Sequence, residues 1–578
     1  MEFGVPIGRC RLTICCRSFL VYPMTKTTGA KYLAKAVHSY GLSHVFYMPY
    51  VMPPALLEMG KLGVSSIQSH GEKAAAYMAD AYARVRRGPA MVMSQSVGAA
   101  NLAAGLQDAY LACSPVIALT GRERHFHQKR HSYQEVDHVA PFAAVTKYQA
   151  TVHTAETLPQ YLRQAFRSVV TGAPGPAHLD LENIAGMEIA DGELDADQVF
   201  ESQFSKVPPF RPVADAGTIA DALEVLSSAS RPVIVAGGGV TASGARDELI
   251  ALAEKLSIPV ATALNAKAMF PADHPLAVGT PGNYSRECSN RILCRADLVF
   301  FIGSHSGGQV THDFRIPPQG TPAIQMDINP EEIGRNYAVK VGLQGDAKAS
   351  LAAMIEAASS GPDRSKWVTE VQELVSNWKA SVEENWNSDW SPMRPERICR
   401  ELSENLPSDA IVVSDTGHSG VWTGTMLDLK HPAQSYIRCA GSLGWGLPAS
   451  LGAKCAAPDR PVLCFTGDGG IWYHIAEFET AVREDIPVVI LVNNNHSLNQ
   501  EKHGVESYEG QSPATDKQWL FPDADFAGIA RSMVAMGLTV DKPAELKGAL
   551  DQAFSADRPV VIDAKSHVDA IAPIAWLP

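Results

Sequence analysis

Several things are missing from this sequence, and each absence excludes a class of protein. No stretch reaches the roughly 20 consecutive apolar residues that a membrane-spanning helix needs. Charge of one sign never runs long. The 49 Lys+Arg and 62 Asp+Glu give a formal net charge of −13 that is spread along the chain, which favours solubility and argues against a nucleic-acid surface. The ten cysteines form no Cys-x-x-Cys pair and show no ligand spacing. Cys113, Cys439 and Cys464 sit inside apolar runs, as reduced, buried thiols of a cytoplasmic protein would. A cleavage site is lacking too. Met1 to Pro23 carries Arg9, Arg11 and Arg17, and Arg17 interrupts its short apolar stretch, so residues 1–24 read as an N-terminal extension, with Met24 as an alternative start, rather than a signal peptide.

What is present is length and alternation. At 578 residues and 46% hydrophobic composition the chain is too long for one core, and about three domains are expected. Over 25–195, apolar runs at Val45 to Met48, Ala90 to Ser94, Pro115 to Thr120 and Ala177 to Leu181 alternate with helical patterns at Glu72 to Arg84 and Leu102 to Ala112. The Pro-rich Val207 to Val213 reads as a linker. A second unit, 214–360, has strand-like Pro232 to Ala236, Leu298 to Gly303 and Ala323 to Asp327. A third, 385–578, has Ala410 to Ser414, Pro461 to Thr466, Pro487 to Asn493 and Pro559 to Ala564. The expectation is three serial doubly wound α/β domains with parallel sheets. Ligands of such sheets lie beyond the carboxyl ends of the strands, so those ends are where chemistry should be sought.

Two segments stand out there. Strand Pro461 to Thr466 ends in Gly467-Asp468-Gly469-Gly470, an amphipathic stretch runs to Arg483, and the next strand ends in Asn493-Asn494-Asn495. Glycines let backbone approach phosphate oxygens, Asp468 offers a hard anionic ligand and Asn495 a neutral oxygen, a set that suits Mg²⁺ bridging to a diphosphate at a helix N-terminus. A Gly-Asp-Gly sequence by itself is equally at home in a tight turn. In the first unit, Glu72 opens the helical pattern that runs through Ala79 and Tyr82-Ala83-Arg84, a place where an acid also simply complements the helix dipole.

Together the two segments resemble the thiamine-diphosphate enzymes of the acetolactate synthase, pyruvate oxidase and benzoylformate decarboxylase superfamily: Gly-Asp-Gly with Asn495 standing 27 residues after Asp468, and the Glu72 helix before it. The resemblance covers nearly the whole chain beyond Thr25 and implies, in order, a pyrimidine-binding, a central and a diphosphate-binding domain. It implies thiamine diphosphate and Mg²⁺ as cofactors, with Gly467, Asp468, Gly469 and Gly470 at the diphosphate. Asp468, Asn495 and the main-chain oxygen of Ser497 would ligate the metal, Asn494 fitting nearly as well as Asn495. Glu72 would hydrogen-bond N1′ of the aminopyrimidine and, in an apolar pocket, share a proton with it so that the 4′-imine removes the C2 proton. Gly441 to Gly446 matches the segment in which a bulky residue, here Leu443 beside Ser442, bends the cofactor. The turn Asp415 to Gly420 matches one that meets the diphosphate through Gly417, His418 and Ser419. Gln134 aligns with a glutamine that reaches the reacting carbonyl and could hydrogen-bond a developing alkoxide, or be a solvated loop amide. In this superfamily the first domain of one subunit meets the third of another, which implies a homodimer or dimer of dimers with the site at the interface.

The sequence departs from the family in four places. After its first strand it has Tyr47-Met48-Pro49-Tyr50-Val51-Met52, with no histidine, which suggests an apolar substrate wall. His125, His127 and His131 lack metal-type partners and read as a solvated loop. Gly237-Gly238-Gly239 and Gly303 to Gly308 could approach a nucleotide, but Ala242 occupies the last glycine place of the dinucleotide fingerprint, so FAD is one occupant among FAD, ADP and none. Asn499-Gln500-Glu501 differs from the commonest relatives. The first expectation is an acetolactate synthase-like carboligase that decarboxylates a 2-oxo acid through a C2 carbanion and an enamine and joins it to a second carbonyl. The alternative is a lyase or hydrolase of acyloins or 1,2-diketones, similar to benzaldehyde lyase or cyclohexanedione hydrolase, which the apolar wall favours. Either partner is a small carbonyl compound, with no nucleic acid and no membrane.

Overall fold

The computed structural model describes residues 24–578, the side chains of His503 and Glu509 excepted, so the expected extension lies outside the described residues apart from Met24. Three six-stranded sheets, all parallel, follow one another along the chain. Their strands are Val-, Ile- and Phe-rich and buried on both faces, as at Pro232–Ala236 and Leu298–Ile302, because crossover helices cover each side. Full burial of a side chain such as Phe300 contributes about 1.5–3 kcal/mol.

The first sheet runs in space Ser65–Gln68, His44–Tyr47, Ala90–Gln95, Val116–Arg122, Ala177–Glu182, Tyr148–Val152. The third repeats this order with Ser435–Arg438, Ile411–Ser414, Val462–Gly467, Val489–Asn494, Val560–Lys565, Met536–Val540. In the central sheet Ala277–Gly279, Val260–Thr262 and Pro232–Ala236 lie to one side of Leu298–Ile302, Ala323–Asp327 and Val339–Gln344. The central order reverses direction once, and the other two turn back a second time at their last strand pair. Where the order first reverses, adjacent crossovers leave to opposite faces and open a crevice at the carboxyl ends. The crevice falls between Ile411–Ser414 and Val462–Gly467 in the third domain, and between Pro232–Ala236 and Leu298–Ile302 in the central one.

Helix Glu72–Arg86 is alanine-rich because it must approach another helix closely. A Cβ on Gly452 of helix Gly446–Ala456 would lie 1.9 Å from the Met78 carbonyl oxygen, so only glycine fits. Beside that contact the Trp445 indole N–H donates to the buried Asp80 carboxylate at 2.9 Å. First and third domains thereby share one core through helix faces. A 22-residue helix, Ser365–Trp386, which the polar sequence there did not announce, bridges the central and third domains and buries Trp367, Val371, Trp378 and Trp386. No helix among the described residues is long and apolar enough to cross a membrane.

Candidate active site

The crevice of the third domain holds a cavity of about 390 Å³. Its frame is Asp415, the residue after strand Ile411–Ser414, which is 1% exposed. One carboxylate oxygen accepts the N–H groups of Thr416 (2.8 Å) and Gly444 (3.0 Å); the other accepts Gly446 N–H and the Thr466 hydroxyl, both at 3.1 Å. Burial pushes this carboxyl up to about 6. A single acid thus ties together the turn at 415–420, the segment at 441–446 and the end of strand Val462–Gly467. From sequence Asp415 is legible only as the start of the turn that carries Gly417, His418 and Ser419, and an acid directly after a buried strand is the signal that marks it further.

Asp468 is 3% exposed and lines the cavity. One of its oxygens accepts Ser497 N–H at 2.7 Å, and the Ser497 hydroxyl donates to the Asn495 side-chain oxygen at 2.8 Å. Burial, with the Asp563 carboxylate adding to it, pushes Asp468 up to about 7, and among the described residues no lysine or arginine pairs with it. A buried carboxylate without a counter-charge is costly, and a divalent cation would reverse that cost. Alternation of side chains along a strand separates the three asparagines. Asn493 and Asn495 line the cavity, whereas the Asn494 amide donates to Asp563 (2.8 Å) and to the Ala524 carbonyl (3.1 Å) on the other side. The Asn493 side-chain oxygen is buried with no hydrogen-bond partner. This all-oxygen donor set fits Mg²⁺.

Around these ligands the backbone is open enough for phosphate. Gly417, at φ +64°, precedes helix His418–Thr425, and His418 and the buried Ser419 line the cavity beside Gly467. A Cβ on Gly469 would lie 2.5 Å from Leu498, and one on Gly470 2.9 Å from the Thr466 hydroxyl, so a side chain at either place would displace its neighbour. Leu443 lines the cavity and Ser442 does not.

The first domain carries a second cluster of expected residues. Glu72 begins its helix, and its carboxylate accepts the Asn101 amide at 3.2 Å. Gly98 is there to admit it: a Cβ would stand 2.4 Å from the Glu72 carboxylate and 2.5 Å from the Ser94 hydroxyl. Gln134 has φ +56°, its carbonyl accepts the Ser96 hydroxyl, and its side-chain oxygen is buried with no partner. The Gln95 amide donates to the Tyr50 carbonyl at 2.9 Å. These residues gather at the carboxyl ends of the first sheet, but neither Glu72 nor Gln134 lines the third-domain cavity of the same subunit.

Two expectations need correction. Val51 and Met52 are fully buried in the first-domain core, packed against Gly186, so the supposed apolar wall reduces to Tyr50, 47% exposed, and the main support for the lyase or hydrolase reading goes with it. The histidine segment is not simply solvated: His125 meets Glu182 at 2.8 Å and His127 meets Glu123 at 3.1 Å, while His131 is exposed.

The central crevice holds a larger cavity, about 440 Å³. Its two glycine loops touch: a Cβ on Gly237 would lie 2.3 Å from the Gly303 carbonyl oxygen. Ala242 and Asp327 stand in its wall, Cys113 comes from the first domain, and Gln309 and Arg438 line this cavity and the third-domain cavity alike. Seven cysteines among the described residues are free thiols.

Comparison with known proteins gives matches to three family models. Residues 27–140 match "Thiamine pyrophosphate enzyme, N-terminal TPP binding domain", residues 219–354 the central domain of that description, and residues 415–564 its C-terminal TPP binding domain. The chain is 33% identical over 549 residues to a probable acetolactate synthase large subunit of Methanocaldococcus jannaschii, covering 93% of this chain and 91% of that protein. It is 30% identical over 554 residues to the acetolactate synthase large subunit of Corynebacterium glutamicum (93% and 86% covered), and 27% identical over 564 residues to acetolactate synthase isozyme 3 large subunit of Escherichia coli (94% and 96%).

Proposed function

Because the chain belongs to the thiamine pyrophosphate enzymes, we propose that it is a carboligase of acetolactate synthase type, which decarboxylates a 2-oxo acid and joins the remaining acyl unit to a second carbonyl compound. The observation that carries this reading is the buried, uncompensated Asp468 carboxylate facing the amide oxygens of Asn493 and Asn495 across a cavity walled by glycine. When bound, thiamine diphosphate supplies a thiazolium carbon that adds to a carbonyl and takes up the electron pair released as carbon dioxide leaves.

The chain's own residues do the rest. Asp468, Asn495 and the Ser497 main-chain oxygen hold Mg²⁺, and Gly417, His418, Ser419, Gly467, Gly469 and Gly470 admit the diphosphate close to backbone N–H groups. Leu443, from the wall of the same cavity, would pack against the cofactor, with Ser442 its neighbour in the chain. Glu72 holds a proton against the pyrimidine nitrogen, positioned by Asn101 and by the space at Gly98. Gln134 donates its amide to the oxyanion that develops on the substrate carbonyl. Since Glu72 and Gln134 do not reach the cavity of their own subunit, the working unit is a homodimer or dimer of dimers in which one subunit's first-domain edge closes the other's cavity. Exposed aromatic residues beside both half-sites support such an interface: Tyr50 and Tyr133 on one, Trp472 and Tyr473 on the other.

The central cavity, with its touching glycine loops and an acid at its wall, supports FAD as a further ligand. Free thiols support a reducing, cytoplasmic setting. The test is direct. With thiamine diphosphate and Mg²⁺ bound, as followed by calorimetry, pyruvate should give carbon dioxide and a 2-hydroxy-3-oxo product; cofactor binding with neither product formed overturns the reading. A flavin absorbance scan of the same sample tests the central cavity.

A further inference from the structure

Away from the proposed active site, three neighbouring strands of the first sheet each deliver one metal-ligating side chain at their carboxyl ends. Glu182 is the last residue of Ala177–Glu182, the strand that lies between Val116–Arg122 and Tyr148–Val152. His125 follows the first of these neighbours and His153 directly follows the second. The Nδ1 of His125 stands 2.8 Å from one Glu182 oxygen, and that of His153 stands 2.9 Å from the other. The ligand atoms of all three residues lie within 4.8 Å of one another.

The Glu182 carboxylate is buried and, among the described residues, is held by His125 and His153 alone. Its side chain is 1% exposed, and among the described residues no lysine or arginine pairs with it. The nearby arginines are engaged elsewhere, Arg122 with Asp180 and Arg124 with Glu188. The carboxylate accepts the His125 backbone N–H and faces both imidazoles, which hold it in place ionised. Neutral rings bring no full charge to it, and an ion seated between them would. The imidazoles themselves are 61% and 52% exposed, so an ion can enter from solvent and a water can take the remaining position.

We propose that His125, His153 and Glu182 form a site for a divalent transition-metal ion of the zinc class, with three protein ligands and one open position. Donor chemistry separates it from the site at Asp468. Two imidazole nitrogens and one carboxylate suit Zn²⁺ or Co²⁺ at about 2.0–2.2 Å. An ion at that distance would take the place of the two hydrogen bonds, and each N···O pair would open slightly to admit it. The all-oxygen set at Asp468 and Asn495 selects Mg²⁺ instead. The metal would also fasten the head of the segment that leads from His125 to Gln134, because His125 belongs to that segment while His153 and Glu182 belong to the rigid sheet.

The test uses the full-length enzyme saturated with thiamine diphosphate and Mg²⁺, titrated with Co²⁺ and followed by visible absorption, since four-coordinate Co²⁺ absorbs far more strongly than six-coordinate Co²⁺. The expected result is one strongly absorbing Co²⁺ per subunit, displaced by Zn²⁺ and unmoved by excess Mg²⁺. His125→Ala and His153→Ala, both changes at exposed positions, should each weaken Co²⁺ binding by more than about tenfold, the least that loss of even an outer-shell partner costs. Asp468→Asn should leave the band in place. Absence of the strong band, its persistence in both histidine variants, or its loss in Asp468→Asn overturns the proposal. Glu182→Gln is the weaker probe because the buried carboxylate also accepts the His125 N–H and its loss can disturb folding.

Discussion

Gly98→Ala is the substitution that best isolates the role assigned to Glu72. Gly98 is the first residue of helix Gly98–Leu111 and has an ordinary backbone conformation, so alanine is tolerated there and gains up to about 1 kcal/mol of helix propensity. The new Cβ, however, would stand 2.4 Å from the Glu72 carboxylate oxygen and 2.5 Å from the Ser94 hydroxyl, against an ordinary contact of 3.4 Å. The carboxylate is the far end of a flexible chain, so it yields at little cost in stability but moves by about 1 Å. A misplacement of that size at a proton-transfer site costs on the order of 10²-fold in rate, or about 2.7 kcal/mol. Steady-state turnover of pyruvate, read beside thermal unfolding of the same preparation, should therefore show a two-decade fall in kcat with an unchanged or slightly raised Tm. Turnover within twofold of the parent would refute the claim that the Glu72 position matters, and a fall in Tm by several degrees would refute the claim that only its side chain gives way.

Two further outcomes follow from the third domain. Asp468 binds its proton more tightly when folded, at about 7 against an ordinary 3.8, so protonation favours the fold and the cofactor-free enzyme should lose stability as pH rises from about 4 through about 7. Asp415, raised to about 6, acts in the same sense over the lower part of that range; Tm against pH should slope downward without cofactor, flatten in Asp468→Asn, and flatten when thiamine diphosphate and Mg²⁺ are added. The adjacent asparagines should separate cleanly: Asn495→Ala should weaken Mg²⁺-dependent cofactor binding by more than tenfold with little change in Tm. Asn494→Ala should cost about 1–3 kcal/mol of stability by removing the amide donor to one oxygen of Asp563, whose other oxygen keeps Phe526 N–H and Lys565, with activity per folded molecule retained; calorimetric titration and chemical denaturation distinguish the two.

The fold was legible because parallel strands buried on both faces are short, apolar and β-branched, a local property. Pro232–Ala236 and Ala323–Asp327 were read from their apolar runs at the observed bounds. The bridging helix Ser365–Trp386 was not, because its four buried aromatic and aliphatic anchors are spread thinly among polar residues. At the third-domain site, Gly467 to Gly470 and Asn495 were legible as features of strand ends. The framing role of Asp415 was not, since it rests on four donors brought from three separate segments. Val51 and Met52 misled for a related reason: apolar residues in a loop read alike whether they face a substrate or turn inward to a core.

By itself, then, the sequence determined which side chains stand at strand ends, because the two-residue alternation and the Gly-rich turns are encoded by neighbours. Only the tertiary structure decided which of those ends share a crevice, because strand order is set by crossovers dozens of residues long. That order decided which side of Val489–Asn494 faces the cavity, so that Asn495 lines it and Asn494 does not, and it brought His153 and Glu182 to His125 from adjacent strands. It also left Glu72 outside the lining of the Asp468 cavity of its own subunit.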